Sequence, residues 1–515
     1  MKNFKVSLFY LILALLVGFS ACTPESTTVT ITGTVTNGTN GLSNVSVVAS
    51  SLESTTTGAS GEYSITAAKD GTLTFSIKGY VTQTIDINSQ TTIDAVLAED
   101  PWILSFDNNG NQVKDPQFPA NSIIPSITLS ATSSSDPWFS TANFKGAVAS
   151  AFGSPWYDNW SFYSRIVNGS TTSAAINNAG KTTINVTDAY LQSQGNTITW
   201  TPNNIYILDG LVFVDAGKTL NIDAGTVIQG KSGSGTNASA LIVAKGGVIN
   251  AIGTASDPII FTYEGDNGNS SASKRGEWGG LIILGNAGLN SSPGVSQIEG
   301  IPTSESRGSY GGSNDLDDSG TLRYVSIRHG GTSLGSNNEI NGLTLGGVGS
   351  ETTLEYIEVI SNQDDGIEWF GGTASGKYLI SAYCGDDALD YDEGYRGKNQ
   401  FVIIEQDLAL SDHGGEHDGG TFPVTGTPFA TPKFWNVTSR GSASNEAISF
   451  SDNAGGFYHN SIFLNYGQGV DIEDIEGEEQ DSYKQFIDGN LKIQDCIFFN
   501  IGAGSTGKEL FKITN

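Results

Sequence analysis

The sequence predicts an all-β chain in which an N-terminal β-sandwich is followed by a right-handed parallel β-helix. Its composition favours strands and tight turns, because the chain contains 65 Gly and only 14 Pro. A motif also recurs at a fixed interval. Asp-Asp-Gly-Ile-Glu-Trp-Phe at 364–370 is followed 22 residues later by Asp-Asp-Ala-Leu-Asp-Tyr-Asp at 386–392. A fixed period of this size indicates that each repeat is one rung of a stack.

Residues 1–21 are predicted to be a lipoprotein signal peptide. A basic start precedes an apolar run at 6–18, which is too short for a stable transmembrane helix. The sequence that follows, Phe-Ser-Ala-Cys22, resembles a lipobox. This implies cleavage before Cys22, acylation of its thiol, a tether at 22–27 and a lipid anchor in the outer membrane. The nearby Glu25 resembles an export signal of surface lipoproteins, which implies that the protein faces the cell exterior.

Residues 28–98 are predicted to form the β-sandwich, because short runs of alternating apolar and polar residues are separated by Gly-rich turns. The segments 31–35, 61–65 and 73–81 resemble the carboxypeptidase regulatory-like domain. That domain is a non-catalytic, prealbumin-like module that also precedes many TonB-dependent receptors. The resemblance implies a spacer or a docking module.

Residues 99–198 are predicted to be a connecting or capping region that is rich in aromatic residues, including Trp102, Trp156 and Trp160. Exposed aromatic side chains can stack on sugars. The alternative, which we favour, is that they pack over the open end of the next domain, because the open edge of a stack must be covered.

Residues 199–515 are predicted to form the parallel β-helix. Their short apolar runs carry turns but no helical spacers, and a β-propeller is disfavoured because its blades need about 40–50 residues. Segments 278–287 and 362–372 resemble a family of bacterial outer-surface β-helix lipoproteins whose activity is not established. Cys384 and Cys496 lie too many rungs apart to pair, so we expect both to be buried thiols.

The charge of the chain limits its partners. The formal net charge is −29 and the sequence pI is near 4.3. Such a chain cannot neutralise a phosphate backbone, so a nucleic-acid partner is excluded. An acidic surface of this kind is compatible with divalent cations.

The repeated acidic motifs predict a wall of carboxylates. A stack would place Asp365 near Asp387 and Glu368 near Asp390, and two carboxylates about 4.8 Å apart repel by roughly 3–4 kcal/mol at an effective dielectric of 20. Backbone hydrogen bonds or protonation could relieve this repulsion. Ca²⁺ could also do so, because it takes several oxygen ligands in flexible geometry. The candidate ligands are Asp364, Asp365, Glu368, Asp386, Asp387, Asp390 and Asp392.

A histidine-containing segment follows the acidic repeats at 411–420. Its glycines favour a loop, so two histidines four residues apart do not indicate helical zinc chemistry. We expect the loop to lie at the edge of the acidic rungs. The candidate binding residues are His413, Glu416, His417 and Arg396.

The same region loosely resembles polygalacturonase-type β-helix hydrolases, which place Asn-x-Asp, Asp-Asp and Gly-His-Gly in this order. The resemblance implies that Asp387 is the general acid, that Asp364 and Asp386 hold the water, and that His413 assists. Two departures weigh against it. Asp412 stands where the family has Gly, and no Arg-x-Lys follows to hold a uronate. A polysaccharide lyase would need Ca²⁺ and a Lys or Arg base, for which Lys377 and Arg396 are the candidates nearby in the sequence.

Taken together, these observations favour a lipid-anchored surface protein whose β-helix is a binding or scaffold module, calcium-dependent and directed at glycans. A glycan hydrolase or lyase is the first alternative. An accessory subunit of an outer-membrane transporter, docked through residues 28–98, is the second.

Overall fold

The computed structural model describes residues 28–51, 53–77, 80, 83–98, 136–142, 144–148, 155–168, 174–333, 339–420, 423–478, 480–505 and 507–514. The predicted signal peptide, Cys22 and Trp102 lie outside these residues. The chain divides into two compact units, residues 1–104 and 105–515. Within the described part, none of the helices is both long and apolar enough to cross a bilayer.

The N-terminal unit is a β-sandwich, as predicted. One sheet has the strand order β4–β1–β7 and the other has β3–β2–β5–β6. Side chains alternate between exposed and buried along β4, and Ile31, Val47 and Phe75 lie in the shared core. The strands are β1 (Thr28–Thr36), β2 (Ser46–Ala49), β3 (Ser54–Thr56), β4 (Glu62–Ala68), β5 (Thr72–Ser76), β6 (Gln83–Asp86) and β7 (Ala95–Val96).

The second unit is a parallel β-helix, in which almost every strand pairs in parallel with its equivalent one coil later. Its first half contains β8 (Thr182–Val186), β9 (Thr197–Trp200), β10 (Asn204–Leu208), β11 (Leu211–Val214), β12 (Thr219–Asp223), β13 (Val227–Gly230), β14 (Ala240–Val243), β15 (Val248–Ile252), β16 (Ile259–Tyr263), β17 (Leu281–Leu284), β18 (Ser296–Gln297), β19 (Ser309–Tyr310), β20 (Gly320–Arg328) and β21 (Leu343–Gly346).

Its second half contains β22 (Thr353–Ile360), β23 (Ile367–Phe370), β24 (Ser375–Ala382), β25 (Leu389–Asp392), β26 (Lys398–Glu405), β27 (Glu416–His417), β28 (Lys433–Arg440), β29 (Glu446–Phe450), β30 (Gly456–His459), β31 (Ile462–Leu464), β32 (Gln468–Glu473), β33 (Leu491–Gln494), β34 (Ile497–Phe499) and β35 (Phe511–Thr514). The described helices are short: α1 (Phe162–Asn168), α2 (Asp188–Ser193), α3 (Ser482–Ile487) and α4 (Gly507–Leu510), with 3-10 turns at Gly235–Asn237 and Ser306–Gly308.

The walls of the helix come from two long sheets. A 16-stranded sheet includes β20, β22, β24, β26 and β28, and a 7-stranded sheet has the order β11–β14–β17–β21–β23–β25–β27. Parallel pairing begins at Thr182, where β8 pairs with β10. The boundary predicted at 199 is therefore too late, because β8 was too polar to be recognised as a strand from its sequence.

Each long strand of the 16-stranded sheet bends in its middle, at a residue with positive φ. These positions are occupied by aromatic residues in four successive coils: Tyr324, Tyr356, Tyr378 and Phe401. Positive φ is unfavourable for bulky side chains. Their rings compensate by stacking at centroid distances of 4.4, 4.4 and 5.0 Å, a geometry that stabilises aromatic pairs. We call these four residues the aromatic stack.

The aromatic-rich segment covers this stack laterally. Trp160 is fully buried and contacts Tyr324 and Tyr356 edge-on. The first two amides of α1, those of Phe162 and Tyr163, donate to the buried Glu358 on β22. The prediction that these residues close the open end of the β-helix was wrong for the described part, because they run along its side across several coils. Their packing role, rather than sugar stacking, agrees with the preferred alternative.

The two cysteines of the β-helix are buried and free, as predicted. Cys384 lies at the turn after β24 and Cys496 at the turn after β33, and burial raises the pKa of both thiols.

Candidate functional site

The 7-stranded sheet presents acidic side chains on its outer face. Along β25, Leu389 and Tyr391 are buried while Asp390 is partly exposed, which is the alternation expected of a strand with one face in the core. The register places Glu368 opposite Asp390, and Asp390 opposite Glu416. Three successive coils therefore stack three carboxylates in one column, as the 22-residue period predicted for the first two.

A second acidic column lies at the turns that lead into these strands. The amide of Asp387 donates to Oδ1 of Asp365 at 2.9 Å, so these carboxylates are neighbours, as predicted. The turn requires Gly366, because a Cβ there would lie 1.9 Å from the hydroxyl of Ser381. Asp364 and Asp386 occupy the position before each of these residues and are more exposed. We call the two columns together the acidic wall.

An insertion between β17 and β21 supplies a further carboxylate that the sequence did not indicate. Asn341, which is buried, donates through Nδ2 to Glu299 at 2.9 Å and also to Glu368. Burial raises the pKa of Glu299. No periodic signal could have identified Glu299, because it lies 69 residues before Glu368 in a segment outside the repeat.

Among the described residues, His413 is the basic group whose charge lowers the pKa values of Asp386 and Asp387 against the effect of their burial. Its amide and its ring Nδ1 lie 2.5 and 3.0 Å from Oδ1 of Asp387. Burial disfavours the imidazolium, but the hydrogen bond and charge of Asp387 outweigh burial and raise the pKa of His413 to about 9. His413 is therefore charged at neutral pH and offsets one carboxylate.

The other carboxylates hold protons unusually tightly. Burial first, and then the charges of Glu299 and Asp386, raise the pKa of Asp364 to about 7. Burial and like charge raise the pKa values of Asp365, Glu368 and Asp390 well above their ordinary range. These shifts arise because desolvation and like-charge repulsion both oppose ionisation. A bound cation would relieve both.

Three groups of described side chains have oxygen or nitrogen atoms within 4.8 Å of one another: Asp364, Asp365 and Asp386; Asp365, Glu368 and Asp390; and Asp387, His413 and Glu416. Two oxygens on one Ca²⁺ lie at most about 5 Å apart, since each Ca–O distance is about 2.3–2.6 Å. The carboxylate groups fit this size.

Two buried atoms at the acidic wall also lack hydrogen-bond partners among the described residues. They are Oδ1 of Asp390 and Oδ1 of Asn341. Buried polar atoms are normally satisfied, so these two oxygens require an explanation. An oxygen-liganded cation is a direct one.

Several predicted site residues lie elsewhere. His417 is fully buried and points into the core, where it stacks on Tyr391 at 4.1 Å, and burial lowers its pKa to about 3. Its assignment as a binding residue is wrong, because it follows Glu416 on β27 and so points to the opposite face. The segment is also not a loop at the edge of the rungs, since β27 is itself the next strand of the acidic wall.

Arg396 is also not part of the acidic wall. Its guanidinium binds Asp315 at 3.0 Å and the carbonyl of Gly394. Asp392 faces outward on β25, but it is not a member of the three close groups and its Oδ1 accepts the amide of Glu393. Lys377, the other basic residue considered for a lyase, lies on β24 of the 16-stranded sheet and donates to the hydroxyl of Ser140.

The hydrolase assignment meets a geometric difficulty. Asp387 is buried, and its Oδ1 already accepts both N–H groups of His413, so it presents little surface to a substrate.

Fold and site together define a right-handed parallel β-helix with an acidic outer wall. The chain matches the pectate-lyase like beta helix domain over residues 192–515, more than half of its length, and belongs to this family. No curated protein sequence matches it.

One solved structure is similar in part: the enzymatically active domain of tailspike protein 2 of bacteriophage CBA120. The sequences are 12% identical over 60% of this chain and 42% of the tailspike chain, with a TM-score of 0.21. This chain therefore spans less than half of that protein, and a likeness this distant carries no functional argument.

Proposed function

We propose that the β-helix binds Ca²⁺ at the acidic wall and, through it, an anionic glycan. The observation that carries this proposal is the concentration of carboxylates from three successive coils in three groups, within each of which the ligand atoms lie within 4.8 Å of one another. His413 is their basic neighbour. Repulsion of this size is retained in a fold only where something offsets it. A divalent cation does so with the oxygen ligands already present.

The ligand set favours Ca²⁺ over transition metals. Asp365, Glu368 and Asp390 offer only carboxylate oxygens, which suit hard cations. The neighbouring group contains His413, but the Nδ1 atom of that residue is already in contact with Asp387. The acidic wall therefore supports an oxygen-only site better than a zinc site.

The outer rim of the wall supports an anionic partner. Asp386 and Asp412 are exposed beside the buried carboxylates, so a cation held there remains accessible from solvent. A uronate could complete the coordination of that cation. Without Ca²⁺, a chain of net charge −29 would repel such a glycan.

We further propose that Cys22 anchors the protein in the outer membrane, facing outward, as the lipobox resemblance implies. Cys22→Ala should abolish palmitate labelling and release the protein from the membrane fraction. Unchanged labelling and fractionation would contradict the anchor, and would leave the calcium proposal untouched.

Calorimetric titration tests the cation. The purified chain should bind Ca²⁺, and the double variant Glu368→Gln with Asp390→Asn should not. Asp471→Asn is the matched control, since Asp471 is an acidic residue of a later coil that pairs with Lys512 at 3.1 Å. Absence of Ca²⁺ binding by the wild type, or equal binding by the double variant, would refute the site.

Co-sedimentation tests the glycan. Polygalacturonate or alginate should bring down the wild type in millimolar Ca²⁺ and not in EGTA, and the double variant should remain in solution in both. If the chain binds Ca²⁺ but neither polyuronate, the cation site stands and its glycan role is wrong.

A glycan hydrolase is a second candidate, in which the partly exposed Asp364 replaces the buried Asp387 as the general acid. With a pKa raised to about 7 by burial and like charge, this partly exposed carboxyl can hold a proton at neutral pH, as a general acid must. Reducing-end release from a polysaccharide panel tests it, and Asp364→Asn should eliminate turnover. No release by the wild type rejects catalysis.

A further inference from the structure

A concave surface lies away from the acidic wall, where the long strands of the 16-stranded sheet end. It is a cleft of about 840 Å³. Three segments form its walls: 271–273, 405–408 and 440–443, with Tyr383, Asn465 and Asn500 also contributing. This volume lies within the roughly 300–1,000 Å³ typical of small-molecule sites.

The charged groups around the cleft are already paired. Nε of Arg440 donates to both carboxylate oxygens of Glu405, at 2.7 and 2.8 Å. Arg275 binds Asp407 at 2.5 Å and also donates to the carbonyl of Tyr383 at 2.8 Å. Two cations therefore balance two anions, and the cleft offers no net charge to an ionic ligand.

The remaining lining combines apolar surface with planar polar groups. Leu408 is 75% exposed at the rim. The turn that carries it is held by hydrogen bonds from the amide of Ala409 to Asp407 and from the amide of Asp407 to Ser411. These hydrogen bonds hold Leu408 in an exposed position, where its side chain contributes nothing to the core.

The polar groups present both donors and acceptors. Asn500 donates to Asn465 at 2.9 Å, so amides of two successive coils form a short ladder at one side. Gln406, buried at the lining, accepts from Asn445 while its Nε2 lacks a partner among the described residues. Amides and a paired carboxylate can hydrogen-bond to adjacent hydroxyl groups of a ligand. Leu408 can pack against the apolar face of a sugar ring.

We propose that this cleft binds a short neutral oligosaccharide. Paired charges disfavour an anionic or cationic ligand, and the amides of Gln406, Asn465 and Asn500 disfavour a purely apolar one. The site is independent of the acidic wall and of the calcium proposal, because it uses none of the same side chains.

The probe is a panel of neutral trisaccharides with gluco, manno, galacto and xylo units, titrated calorimetrically into the full chain in EGTA. At least one should bind, and Leu408→Asp should weaken that binding at least tenfold. Leu410→Asp is the matched control, because Leu410 lies on the same turn, is 57% exposed and does not line the cleft. It should bind like the wild type.

A second variant tests the amide ladder. Asn500→Gly keeps the positive φ of 55° without strain and removes the side chain, so it should weaken binding while leaving the melting temperature near that of the wild type. Binding by none of the trisaccharides, or equal loss in Leu408→Asp and Leu410→Asp, would overturn the proposal. Retained binding in Glu368→Gln with Asp390→Asn would separate this site from the acidic wall.

Discussion

The aromatic stack and the acidic wall are built by the same coil register and have opposite energetics. Tyr356 and Tyr378 stack at 4.4 Å, and such pairs contribute about 0.5–1.5 kcal/mol each. Glu368 and Asp390 are opposite each other in register, yet two carboxylates at one coil spacing repel by roughly 3–4 kcal/mol. Repetition stabilises the first column and destabilises the second.

This difference shows that a column of similar side chains does not by itself stabilise the fold. The aromatic stack has a structural explanation, since Trp160 packs on it and the positive φ at each ring needs compensation. At the acidic wall, amide hydrogen bonds satisfy part of Asp365 and Asp387, but Oδ1 of Asp390 has no partner among the described residues. We therefore place function at the acidic wall and stability at the stack.

Removing the ring that covers the aromatic stack should have the largest effect on stability. Trp160→Ala removes a fully buried ring that contacts Tyr324 and Tyr356, and should lower the free energy of unfolding by about 3–5 kcal/mol. Urea unfolding of the β-helix measures this. Val167→Ala, on the exposed side of α1, should change it by less than about 0.5 kcal/mol. Equal effects would mean that the segment does not hold the stack.

Removing charge from the acidic wall should instead increase the stability of the fold. In EGTA, Glu368→Gln with Asp390→Asn should raise the free energy of unfolding by about 1–3 kcal/mol, less than the bare repulsion because protonation already relieves part of it. Adding Ca²⁺ should stabilise the wild type and not the variant. A variant that is less stable than the wild type in EGTA would show that these carboxylates are structural.

The histidine at the acidic wall, His413, and the buried histidine on β30, His459, should affect stability oppositely as pH changes. Asp387, Asp412 and Glu416 face His413, and despite burial they raise its pKa to about 9. Its contribution is full below the unfolded value of about 6.5 and is lost as pH rises through 9. Burial lowers the pKa of His459 to about 3, so its contribution is present above about 6.5 and is lost as pH falls through 3.

Stability in EGTA should therefore fall by at least about 1–2 kcal/mol between pH 6.5 and pH 9. Asp364 and Asp387 add to this fall, because burial raises the pKa of each to about 7 and both lose their protons as pH rises. Urea unfolding at a series of pH values measures this. His413→Gln should reduce the fall above pH 6.5 and leave the stability below pH 5 unchanged. A wild type that becomes more stable between pH 6.5 and 9 would contradict the assignment.

The sequence predicts the repeat well and its surroundings poorly. The 22-residue period was enough to pair Glu368 with Asp390, because parallel register follows from equal coil lengths. It could not place Glu299, which reaches the acidic wall from an insertion outside the period. It also misplaced His417, since one position along β27 decides whether a side chain faces the core or solvent.

The smallest effect on stability is expected in the last coils, where a lysine of the chain already lies beside the acidic side chains. On β35, Lys512 lies 3.1 Å from Asp471 and 3.8 Å from Glu446, so one lysine offsets part of the negative charge of these last coils. Lys512 is half-exposed, and such pairs contribute only about 0.2–1 kcal/mol because water screens them. Lys512→Gln should lower the free energy of unfolding by that amount and leave Ca²⁺ binding at Glu368 and Asp390 unchanged, both measured by calorimetry. A second Ca²⁺ site appearing in Lys512→Gln would show that the lysine substitutes for a cation there. Loss of the first site would show that Lys512 and the carboxylates at Glu368 and Asp390 are energetically coupled.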